Sequence, residues 1–239
     1  RDKNVIKTFN KNEKKYLKNF YKNSDIFSYN SNTNPQKSLL YLTWKDNIEQ
    51  LPNIKNHLYR FKEILSKRLK TYNENHPWYA LHRPRNKNIF TDPKIVVPYR
   101  SKLNTFAYNE VEWFCRSDCY VITTKSDLLS MKTLLCVLNS KLFYLWLYSR
   151  GKRKGNLLEL FSKPLSEIPI KIFDKKLQKE IESSFEKIIK IFNPKNYKKN
   201  DFSQEQLSIK NNIDDIIFKA YNLSKEEVKF VNNFYIENI

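Results

Sequence analysis

A first group of basic and amide side chains lies between residues 79 and 104, where Asp92 is the only acidic residue. Arginine binds guanine through two parallel hydrogen bonds, asparagine binds adenine in the same way, and lysine more often holds phosphates. The segment therefore predicts contacts with nucleic acid, and a solvated edge strand protected by Lys and Pro is the alternative. This first basic cluster consists of Tyr79, His82, Arg83, Arg85, Asn86, Lys87, Asn88, Lys94, Tyr99, Arg100, Ser101, Lys102 and Asn104.

A second group of cations follows a long apolar segment. The chain contains only two glycines, and both lie beside this one run of cations. Glycine adopts positive φ and lets a partner approach closely, so the pattern predicts a mobile phosphate-binding loop. The alternative is an ordinary basic helix end, where cations complement the helix dipole. This second basic cluster consists of Arg150, Lys152, Arg153 and Lys154, with Gly151 and Gly155 beside them.

Patterns for catalysis or metal binding are missing from the sequence. It has neither the Gly-rich turn that a methyltransferase needs for its cofactor nor the Asn/Asp-Pro-Pro-aromatic loop that grips a flipped base. Cys115 and Cys119 lack the second pair that a zinc site requires, and the histidines are scattered. Asp215 with Glu227 and Lys229 loosely matches a Mg²⁺-dependent nuclease, but all three fall on predicted helices. We therefore predict no catalytic residue, no metal site and no cofactor in this chain.

The composition agrees with a polyanionic partner. The chain carries 44 Lys and Arg against 25 Asp and Glu, a formal net charge of +19. Such a charge attracts polyanions and releases their counterions on binding, although the Lys and Asn bias of AT-rich genomes would explain part of it. Three cysteines are too few for a disulfide framework and indicate a reducing cytoplasm. The longest apolar run, 134–148, is too short and too polar to span a membrane.

Hydrophobic periodicity indicates the elements that must position the two clusters. A period of three to four residues predicts helices, and a period of two predicts strands. Ser126 is predicted to cap one long apolar helix, and Ser224 with Glu227 forms a capping box. The predicted strands are 39–44, 94–98, 105–108, 111–115 and 118–124. The predicted helices are 13–21, 52–75, 126–149 and further helices after residue 170.

These elements predict an α+β fold. A small antiparallel or mixed sheet region packs with the long apolar helix and is followed by a C-terminal helical bundle. We expect a target-recognition domain over residues 1–170 and a C-terminal helical extension over residues 171–239.

Several short motifs, taken in order, resemble the TaqI-like C-terminal specificity domain. This domain is the target-recognition region of type IIG restriction–modification enzymes and of related adenine-specific methyltransferases. The chain is similar to that family over nearly its whole length, but it has Asn222 where the family usually has Gly. The motifs are Pro77-Trp78-Tyr79, Arg83-Pro84-Arg85, Pro93 to Pro98, Ser117-Asp118-Cys119-Tyr120, Leu138 to Leu142 and Leu165 to Ile170.

The resemblance implies a larger parent protein. An upstream S-adenosylmethionine-dependent N6-adenine methyltransferase domain would act on double-stranded DNA, and a Mg²⁺-dependent nuclease domain could precede it. The present chain would choose the DNA sequence without catalysing a reaction, in the cytoplasm of a bacterium. Because the sequence starts at Arg1 and not at Met, we expect a piece of a longer chain.

Two alternatives remain open. A protein-interaction or inhibitor domain would use the same positive charge to bind an acidic partner. An enzyme would use Asp215, Glu227 and Lys229 with Mg²⁺.

Overall fold

Short strands and helices alternate along the chain and form two units. The computed structural model describes residues 3–35, 37–71, 75–124, 126–192 and 202–239. The smaller unit contains residues 1–21, 34–91 and 112–114, and the larger unit contains residues 22–33, 92–111 and 115–239. Each unit is described by itself below.

Among its described residues, the smaller unit combines five short α-helices with a small sheet. Strands β1 (Leu17–Tyr21) and β2 (Lys37–Leu40) pair antiparallel, and β6 (Phe114–Cys115) completes the sheet in the order β2-β1-β6. Trp113 lies fully buried in this unit and stacks on Tyr21, with ring centroids 4.7 Å apart. The helices are α1 (Lys3–Thr8), α2 (Lys11–Lys14), α3 (Pro52–Tyr59), α4 (Lys62–Thr71) and α5 (Asn88–Thr91).

A buried carboxylate joins two helices of the smaller unit. Glu13, at the end of α2, accepts hydrogen bonds from the backbone N–H groups of Asn53 (2.7 Å) and Ile54 (3.2 Å) at the start of α3. It also accepts from the Asn53 side chain (2.8 Å) and from the Asn10 backbone (2.9 Å). Burial acts to raise the pKa of Glu13, but these hydrogen bonds outweigh it and hold the pKa below its ordinary value.

The larger unit contains two three-stranded sheets and most of the helical chain. The strands of this unit are β3 (Lys94–Pro98), β4 (Arg100–Ser101), β5 (Ala107–Asn109), β7 (Cys119–Ile122), β8 (Lys152–Lys154) and β9 (Leu157–Glu159). The first sheet has the order β5-β3-β7 with antiparallel pairing, and the second has the order β4-β9-β8. The helices are α6 (Met131–Leu138), α7 (Lys141–Arg150), α8 (Ser162–Ser166), α9 (Lys175–Ile191), α10 (Gln204–Ala220) and α11 (Lys225–Asn238).

The predicted apolar helix over 126–149 is in fact two helices, α6 and α7. The backbone is extended at Ser140, and the preceding Asn139 side chain is held there because it donates to the Phe106 carbonyl (2.9 Å) and accepts from the Phe106 N–H (3.1 Å). Ser140 then caps α7, and Ser130, not Ser126, caps α6. The prediction of one long helix was therefore wrong about the residue at which it begins and about its being continuous.

Other predicted boundaries of strands and helices also differ from the observed ones, while the fold class is confirmed. The predicted strand 39–44 ends at Leu40, and Thr43–Asp46 forms a turn. The predicted helix after Pro52 is divided at Arg60 and Phe61 into α3 and α4. The predicted helix over 13–21 is instead the end of α2 followed by β1. Small sheets, apolar helices and C-terminal helices nevertheless make the chain an α+β protein, and the Ser224–Glu227 capping box is confirmed.

Candidate nucleic-acid interface

The smaller unit contains a basic groove with a volume of about 540 Å³. Three segments that are far apart in the sequence meet there: the start of β1, the turn after β2, and the loop before α5. We call it the Trp44 groove. Its lining residues are Lys15, Tyr16, Lys18, Tyr41, Thr43, Trp44, Lys45, Asp46, Pro84, Arg85, Asn86 and Lys87.

Asp46 fixes the turn that carries Trp44. Its carboxylate accepts hydrogen bonds from the Thr43 N–H (2.7 Å) and the Thr43 hydroxyl (2.8 Å), and its backbone N–H donates to the Thr43 carbonyl (3.2 Å). The hydroxyl of Tyr79 donates to the Asp46 carbonyl at 2.6 Å. Tyr79, predicted to contact DNA, thus positions the turn through its hydroxyl group.

A second tyrosine fixes the loop before α5. The Tyr41 hydroxyl donates to the backbone carbonyl of Arg85 at 2.8 Å, and the Arg85 guanidinium lies 4.8 Å from the centre of the Phe90 ring. Burial raises the pKa of Tyr41, so this phenol remains a neutral donor at neutral pH. The backbone of Arg85 is therefore held while Asn86 and Lys87 beside it are exposed.

Cations outnumber acidic groups in the Trp44 groove. Five of its twelve lining residues are Lys or Arg, and Asp46 is the acidic one. Lys18 is ion-paired with Glu112 at 2.9 Å, which reduces its contribution. Trp44 is 56% exposed, and the Lys45 ammonium lies 5.2 Å from its ring centroid. The groove thus offers cations for phosphates and an aromatic face for a base or sugar.

The second basic cluster forms a strand, not a mobile loop. Lys152, Arg153 and Lys154 make up β8, which pairs antiparallel with β9 through a two-residue turn at Gly155 and Asn156. Gly155 has φ of +58°, a conformation that residues with a side chain rarely adopt. The glycine therefore serves the hairpin turn, and the predicted phosphate-binding loop was wrong in its structure.

The same sheet brings part of the first basic cluster to the second. Arg100 in β4 lies opposite Glu159 in β9, and Lys152 in β8 lies opposite that same Glu159. The Arg100 Nε donates to the Glu159 carboxylate at 2.8 Å, so its charge is partly compensated. All three residues of β8 are exposed, and the Arg153 guanidinium lies 4.0 Å from the centre of the Tyr148 ring.

Aromatic rings stack beside these cations in the larger unit. The rings of Tyr99 and Phe161 are nearly parallel, with centroids 5.7 Å apart. The Tyr99 ring also stacks with the Tyr120 ring, and these two centroids are 6.3 Å apart. The Arg100 guanidinium lies 4.5 Å from the Tyr99 centroid, and the Lys152 ammonium lies 5.7 Å from Phe161. Cation–π contacts of this kind hold the basic side chains in defined positions.

Three members of the first basic cluster are buried, and we place them outside the interface. The Asn104 side chain donates to the carbonyls of Leu138 (2.7 Å) and Ser140 (2.8 Å), where it connects α6 to α7. Ser101 is hydrogen-bonded to the Thr105 hydroxyl at 2.8 Å. Lys94 is fully buried and its ammonium donates to the carbonyls of Asp92 and Val111.

The remaining predicted residues divide between the two units. Arg83, Arg85, Asn86 and Lys87 lie in the smaller unit with the half-buried His82, and Lys102 and Arg150 are exposed in the larger unit. Sequence reasoning missed Lys15, Trp44 and Lys45, which join the Trp44 groove only through the fold. A tryptophan followed by Lys and Asp after a short strand was the one local signal of this turn.

The nuclease-like residues Asp215, Glu227 and Lys229 lie on two different helices, α10 and α11. Glu227 accepts a hydrogen bond from the Ser224 N–H at 2.7 Å and so serves as the capping partner of α11, while Asp215 lies on α10. Among the residues that the structure describes, no group of three or more His, Cys, Asp or Glu is placed to hold a metal ion. No helix within the described ranges is long and apolar enough to cross a membrane.

Comparison with known proteins identifies the family. The model of the TaqI-like C-terminal specificity domain matches residues 3–170, which is more than half of the chain, so the chain belongs to this family. The type II methyltransferase M.HincII of Haemophilus influenzae is 31% identical over 141 residues, covering 56% of this chain and 28% of the relative. M.HindII of Haemophilus influenzae strain Rd is also 31% identical over 141 residues, covering 27% of its length.

The chain also resembles part of one solved structure. The type IIG restriction endonuclease BpuSI is 15% identical, with a TM-score of 0.44 over 86% of this chain and 26% of that protein. The chain therefore spans only about a quarter of the length of the proteins named here.

Proposed function

We propose that this chain is a sequence-specific module that recognises double-stranded DNA and is not itself catalytic. The observation that carries the proposal is the Trp44 groove, where cations and aromatic rings from three distant segments meet around Arg85, Asn86 and Lys87. Membership of a specificity-domain family supports it, because recognition is the role that the family's name assigns.

The proposal includes a larger parent protein. We propose that residues 1–170 form the recognition domain, that residues 171–239 form a helical extension, and that a catalytic domain of the same parent chain is the direct partner. The parent would be an S-adenosylmethionine-dependent N6-adenine methyltransferase or a type IIG restriction–modification enzyme of the bacterial cytoplasm. A nuclease in that parent would require Mg²⁺. The similarity to two type II methyltransferases supports this reading.

The two basic surfaces would have different tasks. Arg83 and Arg85 are the proposed base readers, because guanidinium groups make paired hydrogen bonds to guanine. The strand β8 would hold phosphates, since its three exposed cations follow one another along an edge strand. Arg100, Lys102 and Arg150 would add to this phosphate contact in the larger unit.

The test is equilibrium binding of a labelled DNA duplex over a range of salt concentrations. Contact with about six phosphates gives a slope of about −5 when the logarithm of the association constant is plotted against that of salt concentration. Heparin serves as the competitor, because a general polyanion binder would prefer neither ligand at matched charge. A flat salt response, or displacement of every duplex by heparin at equal affinity, would favour a protein-interaction domain and reject the proposal.

A further inference from the structure

We propose that the Trp44 groove binds a single unpaired nucleotide, with the base stacked on Trp44 and the adjoining phosphates on the cations around it. This inference rests on the proposed DNA-recognition function and adds the kind of nucleotide that the groove accepts. It concerns the smaller unit alone.

Trp44 is presented to solvent by a backbone that is well held. Leu42, two residues earlier, is buried, and its carbonyl accepts a hydrogen bond from the Leu81 N–H at 2.8 Å. Asp46, two residues later, closes the turn through its carboxylate and is held at its carbonyl by Tyr79. The exposure of Trp44 is therefore a property of an ordered turn.

A different tryptophan, Trp113, packs in the interior of the smaller unit. Trp113 is fully buried and lies parallel to Tyr21, with an angle of 7° between the rings. Trp44 is 56% exposed, so more than half of the residue's surface remains in contact with solvent. An exposed indole beside a groove is available for a ligand with an aromatic face.

The surroundings of Trp44 determine which aromatic ligand fits. Lys45, Lys15 and Lys87 line the same groove, so the ligand carries negative charge next to its ring. A nucleotide has both features, and stacking on tryptophan tolerates any base because each base has a π-face. In an intact duplex the base faces are covered by their neighbours and only the edges are available. The combination therefore selects an unstacked nucleotide over a paired one.

The size of the groove agrees with this choice. A volume of about 540 Å³ lies within the range of about 300–1,000 Å³ that small-molecule sites occupy. One nucleotide is a ligand of that class, whereas a stretch of duplex would lie across the groove without entering it.

The experiment measures binding of the full 239-residue chain to three labelled duplexes of otherwise identical sequence. One duplex is fully paired, one carries a single bulged nucleotide, and one carries a bulged abasic site. We expect the bulged base to bind about tenfold more tightly than the abasic bulge, as stacking of one base supports. Trp44→Ala should abolish that preference and Trp44→Phe should retain most of it.

Tyr59→Ala is the matched control, because Tyr59 is an aromatic residue of the same unit that is 59% exposed and does not line the groove. It should leave the preference for the bulged base unchanged, and circular dichroism shows that each variant is folded. Equal affinity of the wild type for the bulged base and the abasic bulge would overturn the inference. The inference would also be overturned if Trp44→Ala lowered the affinity for all three duplexes by the same factor.

The outcomes also separate this inference from the proposed function. Salt-dependent binding to the paired duplex with no preference for the bulged base would leave the DNA-recognition function standing and reject the unpaired-nucleotide site. Failure to bind any of the three duplexes would reject both.

Discussion

Arg85, a proposed base reader, is positioned by contacts within the smaller unit. Its carbonyl is held by the Tyr41 hydroxyl at 2.8 Å, and its guanidinium lies 4.8 Å from the centre of the Phe90 ring. A side chain that is positioned before binding loses less conformational entropy when it contacts a base.

We predict that Arg85→Ala and Arg83→Ala each reduce discrimination between preferred and substituted DNA sites by about 1–3 kcal/mol, because each removes a paired hydrogen-bond donor. The measurement is the ratio of dissociation constants for the two duplexes. Arg85→Lys is the control, since it keeps the charge but loses the planar fork and should restore affinity without restoring discrimination. Losses that are equal on all duplexes would assign both arginines to the phosphates.

Glu13 supports the smaller unit through four hydrogen bonds that end on one buried carboxylate. We predict that Glu13→Gln lowers the free energy of unfolding by about 1–3 kcal/mol, because buried backbone donors lose a charged acceptor. Urea denaturation followed by circular dichroism measures the loss. Glu49→Gln, which removes an exposed carboxylate paired with Lys55, should change the free energy of unfolding by less than about 0.5 kcal/mol.

The pH dependence of this effect has a defined sign. The pKa of Glu13 is lower in the folded chain than its ordinary value, so its stabilisation is present above that ordinary value. It is lost as the pH falls through the pKa of the folded state. The difference in stability between the wild type and Glu13→Gln should therefore shrink on acidification. A difference that stays constant or grows would mean that the ionised carboxylate is not what stabilises the fold.

The β8–β9 hairpin shows what an element adds to its residues. Three adjacent cations in a flexible loop would sample many positions, whereas in β8 they alternate along a strand whose partner, β9, also pairs with β4. Contacts with Tyr148 and Phe161 restrict Arg153 and Lys152 further. The hairpin thus restricts the positions of the three cations Lys152, Arg153 and Lys154.

We predict that replacing Lys152, Arg153 and Lys154 together by alanine weakens binding to all duplexes by a similar factor and leaves discrimination intact. Each lost phosphate contact should reduce the magnitude of the salt slope by about 1, and binding isotherms at several salt concentrations measure it. Lys179, exposed on α9, offers a control substitution to alanine outside the proposed interface. A loss of discrimination in the triple variant would instead make the hairpin a base reader.

Elements were predictable where the local pattern decides the structure. The strand at 94–98 and the capping box at Ser224 follow from apolar runs and from cap chemistry, and both were found. The break between α6 and α7 was not, because Asn139 takes its hydrogen bonds from Phe106, more than thirty residues away. Asn104 was also not predictable. In the sequence it suggests a base contact, but its side chain donates to the Leu138 carbonyl at the junction of α6 and α7.

At the scale of the whole molecule, charge and composition indicated the class of partner but not the places of contact. A net charge of +19 implies a polyanion, whichever surfaces are involved. The Trp44 groove could be predicted only in part, because Arg85, Asn86 and Lys87 are adjacent in sequence whereas Lys15 and Trp44 reach them through sheet pairing and turns. The family was predictable because its short motifs occur in a fixed order, which can be recognised in the sequence without knowing any tertiary contact.

The central claim is that the chain itself selects a DNA sequence, and the most direct measurement is affinity selection from a pool of random-sequence duplexes. We expect repeated rounds with the wild-type chain to enrich one short motif, and we expect Arg85→Ala to relax at least one position of that motif. Duplexes retained without any enriched motif would show that the chain holds DNA by charge alone and would contradict the account.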